Sequence, residues 1–137
     1  MKLQDQVCTL EQAKKLKELG VRQQSAFKYN QNLYETDKAG ELEEGVWTIW
    51  YNDFPCLENQ YSAFTVAELG VMLPSETLTI RRGSEDSKFP NWEWENEGEE
   101  KGWGCFDTEA SARADHLIML LQKDIIKVEE VNQRLAA

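Results

Sequence analysis

Histidine occurs once in this chain, at His116, and cysteine three times, at Cys8, Cys56 and Cys105. The thiols are far apart, odd in number and never in a C-x-x-C arrangement. A disulfide framework is therefore not expected, and buried or incidental thiols are. One histidine with such scattered cysteines does not supply a zinc site. No apolar run approaches the roughly 18–20 residues that a membrane helix needs. The opening Met1-Lys2-Leu3-Gln4-Asp5-Gln6 lacks the apolar stretch of a signal peptide, so a cytoplasmic protein is expected. No P-loop, G-x-G-x-x-G, G-x-S-x-G or H-E-x-x-H motif occurs. No cofactor is expected, and the balance leans away from an enzyme.

What is present suits a single folded domain. The 137 residues are 41% hydrophobic and 29% charged, ordinary values for a globular protein. Five Trp, five Phe and four Tyr supply bulky core material. The net charge of −10 is uneven. Residues 1–40 hold seven Lys/Arg against five Asp/Glu, residues 41–110 four against sixteen, and residues 111–137 four against four. An acidic middle repels nucleic-acid phosphates and favours a basic protein surface.

Local signals place the elements. Thr9 and Gln12 form a capping box before a helix over 10–19, and Gly20 suits its end. Phe27 and Tyr29 alternate with Ala26 and Lys28, which predicts a short strand. Residues 45–51, Gly-Val-Trp-Thr-Ile-Trp-Tyr, are the strongest strand, apolar enough on both faces for two-sided cover. Thr65 and Glu68 repeat the capping box, and Val66, Leu69 and Leu73 form a helical stripe that Pro74 stops, with Gly70 weakening it. Strands follow at 78–82 and 91–97. Alternation puts Trp92 and Trp94 on one face of the second, and Glu93, Glu95 and Glu97 on the other. Thr79 and Arg81 are expected across from those glutamates. A turn at 99–102 and a short strand at 103–106 come next. Thr108 caps the last long helix, which Lys123-Asp124 ends, and Val128, Val131 and Leu135 predict one more short helix. The sum is an α+β fold: a mostly antiparallel sheet of about five strands with about three helices packed on it, in one domain over 1–137.

Few residues carry chemistry. Glu93, Glu95 and Glu97 read as a solvated face, with a protein-binding acidic face as the functional alternative. Trp103, between Gly102 and Gly104, has room for an accessible ring; with Tyr51 and Arg82 it marks a candidate ligand pocket. Arg81 and Arg82 read as cross-strand ion-pair partners before a phosphate clamp. His116, at the edge of an apolar helix face, reads as a structural or surface histidine.

Three stretches carry a resemblance: Thr9 to Gly20, Phe64 to Pro74, and Thr108 to Ala114 leading into Leu117–Leu121. Together they resemble an uncharacterised family of small phage- and prophage-associated proteins from Bacteroides-type gut bacteria, over most of the chain. The resemblance implies an accessory role and carries no functional residues with it. The expected function is a non-enzymatic accessory protein that binds another protein through an acidic surface, without membrane or direct nucleic-acid contact. The alternatives are a small ligand-binding or enzymatic domain with its pocket near Trp103, and a self-assembling phage component.

Overall fold

Three helices of the computed structural model start on a threonine. The structure describes residues 2–31, 46–75, 77–82, 91–96, 100–101 and 106–136. Helix α1 (Leu10–Glu18) is capped by Thr9, whose hydroxyl accepts from Gln12 N–H at 3.2 Å while Thr9 N–H donates to Gln12 Oε1 at 3.0 Å. Its end is a Schellman turn. Gly20 takes φ 95°, and the N–H groups of Gly20 and Val21 donate to Lys17 and Leu16. Helix α2 (Val66–Met72) repeats the capping box with Thr65 and Glu68. Helix α3 (Glu109–Gln122) is capped by Thr108. After it Asp124, at φ 55°, fills the left-handed position that glycine takes after α1, and helix α4 (Val128–Ala136) follows.

The strands form two antiparallel sheets among the described residues, not one of five strands. The first has the order β2-β1-β3: β2 (Trp47–Tyr51), β1 (Phe27–Gln31) and β3 (Tyr61–Ser62). The second is β4-β5-β6: β4 (Thr77–Arg82), β5 (Asn91–Asn96) and β6 (Glu100–Lys101). Sequence alternation assigns faces but not neighbours, so it cannot tell one sheet from two. Among the described residues the count of helices also rises, from about three to four α-helices, with a 3-10 turn at Leu3–Asp5. Glu100–Lys101, expected as a turn, is the paired strand β6. Phe106 forms only a lone bridge to Trp92, and residues 103–105 of the expected strand lie outside the described residues.

Register corrects one further expectation. Thr79 and Arg81 lie opposite Trp94 and Trp92, and it is Leu78 and Ile80 that lie opposite Glu95 and Glu93. A one-residue slip reverses every such pairing. In the first sheet Tyr29 faces Ile49 and Tyr61, while Lys28 faces Trp50 and Ser62. Phe27, Tyr29, Trp47, Ile49 and Tyr61 pack on the main core. Lys14 of α1 lies over the Trp47 ring at 5.1 Å. The opposite face of β2 is open: Val46, Thr48 and Trp50 are exposed, so the expected two-sided cover is found on one side only. Among the described residues β2 is a terminal strand of its sheet.

Helix α3 is buried on two sides. Ala110, Ala114, Leu117, Leu120 and Leu121 join the main core with Leu16, Phe64, Leu69 and Met72. Ala112 and His116 face away from that core and are also buried. His116 stacks on Trp94 of β5 with ring centroids 4.2 Å apart, and Trp94 Nε1 donates to Asp115 at 2.9 Å. Small residues at the start of α3 allow this close approach from both sides.

The approach of α3 to α2 explains Gly70. Arg113 Nη1 donates to the Val66 carbonyl at 3.2 Å, and Nη2 bonds Glu109 at 2.9 Å. A Cβ on Gly70 would collide with that guanidinium. Alanine in place of a helical glycine ordinarily gains about 1 kcal/mol. Here Gly70→Ala is expected to gain less than that, because the Arg113 guanidinium must shift from its partners. In an Arg113→Ala background the same change is expected to stabilise. Urea unfolding of the four proteins should give a coupling of about 1–2 kcal/mol; additive effects would contradict the packing.

Candidate functional site

The chain from β2 to β3 has to cross β1, because β1 lies between them in the sheet. Residues 52–60 make this crossing and act as a strap over the Lys28 side of β1. Asn52 N–H donates to the Ala26 carbonyl, and Phe54 N–H donates to Asn52 Oδ1 at 3.1 Å, an Asx turn that starts the strap. Further along, Gln60 Nε2 donates to Asn30 Oδ1 at 3.0 Å, and Gln60 Oε1 accepts from Leu57 N–H. Lys17 of α1 donates from Nζ to the carbonyls of Glu58 and Gln60. The strap is thereby tied at both ends.

Beneath it lies Lys28, only 2% exposed. Its ammonium donates to the carbonyl and side-chain oxygens of Asn52, at 3.0 and 2.9 Å. Alternation puts Lys28 on the face opposite Phe27 and Tyr29, and the strap buries it there. Lys28 and Asn52 line a cavity of 410 Å³ together with Arg22, Gln23, Gln24, Ser25, Ala26, Asp53, Phe54, Pro55 and Cys56. Its floor is rigid. Ser25 Oγ donates to Glu68 at 2.8 Å and accepts from Phe27 N–H, while Gln23 Oε1 accepts from Ser62 N–H at 2.8 Å.

The reactive side chains are quiet. Burial pushes the Cys56 thiol up, against the opposing pull of Lys17 and Lys28, so at neutral pH it is a thiol and a poor nucleophile. Cys8 is fully buried and pushed up to about 12. His116 is held down to about 4 by burial, and neither ring nitrogen has a partner among the described residues. No group of three His, Cys, Asp or Glu among the described residues is placed to hold a metal ion. No helix among them is long and apolar enough to cross a membrane.

The sequence-predicted residues fall in different places. Tyr51, 68% exposed, ends β2 of the first sheet with its ring 5.0 Å from Phe27. Arg82 ends β4 of the second sheet. Trp103, the third member of that expected pocket, lies outside the described residues, as do Glu97 and Cys105. Glu93 and Glu95 lie in β5, and Glu93 is half-buried. The cavity residues Lys28, Asn52 and Cys56 were not singled out by sequence. The one available signal was Asn52 heading a turn with Pro55, and it does not say what the turn covers.

Comparison with known proteins matched no family model, no curated protein and no solved structure.

Proposed function

We propose that this protein is a non-enzymatic binding module that acts by docking an extended segment of a partner protein along β2. The observation that carries this reading is the concentration of exposed large apolar side chains in residues 46–57, on and just after β2. Val46, Trp50, Tyr51, Phe54 and Leu57 all project into solvent, Trp50 at 45% and Phe54 at 78% exposure. Isolated exposed apolar residues are ordinary; several within one short stretch of chain are a mark of an interaction surface.

Two of these rings are held in place before any partner arrives. Trp50 Nε1 donates to Thr48 Oγ1 at 2.9 Å, and Tyr51 leans on Phe27. Preordered Trp and Tyr rings lose little entropy on binding and are common energetic centres of interfaces. Among the described residues β2 is also a terminal strand, so its backbone offers ladder positions to an added strand. The net charge of −10 favours a basic partner, with Glu93 and Glu95 of β5 as the proposed acidic contribution. The resemblance of the helical segments suits a phage- or mobile-element accessory role.

A photo-crosslinking amino acid at position 50, against one at exposed position 71, tests this in cells of the native host. Position 50 is expected to capture a defined partner that position 71 does not, and Phe54→Ser with Tyr51→Ser should reduce capture at least tenfold. Crosslinks of equal yield from both positions, or crosslinks only to a second copy of the chain, would overturn it.

A further inference from the structure

We propose that the Lys28 cavity binds a small monocarboxylate carrying an apolar body. It shares Phe54 with the docking surface but does not depend on a partner docking there. The volume of 410 Å³ falls in the range of roughly 300–1,000 Å³ in which small organic ligands bind.

The cavity has a built cationic wall. Lys28 is buried, yet no carboxylate among the described residues lies within ion-pairing distance of it. Asn52 accepts two of its three N–H groups, and the third has no acceptor among the described residues. A buried ammonium without a counter-charge is costly to keep, and an apolar residue of the same length would fill the space without that cost. Arg22 lines the same cavity and also has no ion pair among the described residues. Its backbone is anchored, N–H to Asn132 Oδ1 at 2.7 Å.

The remaining lining narrows the ligand. Ala26, Phe54 and Pro55 offer apolar surface for a body of several carbons. Asp53 also lines the cavity and opposes a second negative charge. A monoanion is thus favoured over a phosphate dianion. Cys56, kept as a thiol, adds no charge of its own.

The test titrates the full chain with phenylacetate, hexanoate, acetate and inorganic phosphate, by calorimetry and by amide NMR. Phenylacetate and hexanoate are expected to bind saturably and to shift resonances within 22–28 and 52–56. Acetate and phosphate should bind at least tenfold more weakly. Lys28→Met should lose at least tenfold in affinity and Arg22→Gln severalfold, with unchanged circular dichroism. The proposal is overturned if neither apolar carboxylate binds, if phosphate binds as tightly, or if Lys28→Met binds as well as the parent. Should Lys28→Met not fold, the parent decides: shifts mapping away from the two segments refute the site.

Discussion

Phe64→Ala is expected to remove about 3–5 kcal/mol of folding stability, the usual cost of emptying a fully buried aromatic site. Phe64 has no exposed surface and sits where three parts of the chain meet. Its carbonyl accepts from Cys8 N–H at 2.9 Å, and the next residue, Thr65, bridges Val7. Val66 N–H then donates to the Gln6 carbonyl at 3.2 Å. The residue thus fastens the N-terminal segment to the start of α2 while its ring is fully buried in the main core. A domain of this kind has about 5–15 kcal/mol in total, so the variant would be close to unfolding. Urea denaturation with an unchanged slope checks this; a loss below about 1 kcal/mol would contradict the packing.

The second large effect is a loss of stability in acid that originates at His116. Burial holds its folded pKa at about 4, against 6.5 in the unfolded chain. Between those values the unfolded state binds a proton that the folded state refuses, so stability rises with pH there. The contribution is complete above pH 6.5 and is lost as pH falls toward 4. A shift of this size corresponds to about 3 kcal/mol at 1.36 kcal/mol per pK unit. The physical cause is specific: the ring is fully buried, stacked on Trp94, and has no acceptor among the described residues to stabilise an imidazolium. His116→Phe keeps a flat ring against Trp94 and removes the titration. Its unfolding free energy should therefore change less between pH 7 and pH 4.5 than that of the parent, by about 2–3 kcal/mol. An identical pH dependence in the two proteins would show that His116 is not the source.

Local features were legible because their signals lie within a few residues of one another. The two capping boxes, the Gly20 stop, the Thr108 cap and the fourth helix over Val128–Ala136 all follow from short-range hydrogen bonding and spacing. The α+β class follows from the mixture of periods. The Gly70 position was legible only as a weakness in a helix; its purpose depends on Arg113, which belongs to another helix.

Sequence alone therefore determined where helices begin and end and which residue faces alternate. Only the tertiary structure decided that the strands form two sheets, that the strap buries Lys28 beneath Asn52, and that β2 leaves Trp50 and Tyr51 in solvent. The reason is physical. Capping and alternation are settled by neighbours along the chain, whereas burial and pairing are settled by whatever segment the fold brings across. A lysine between Phe27 and Tyr29 looks solvent-facing from its neighbours. Its burial comes from residues more than twenty positions away, whose path over β1 no local pattern records.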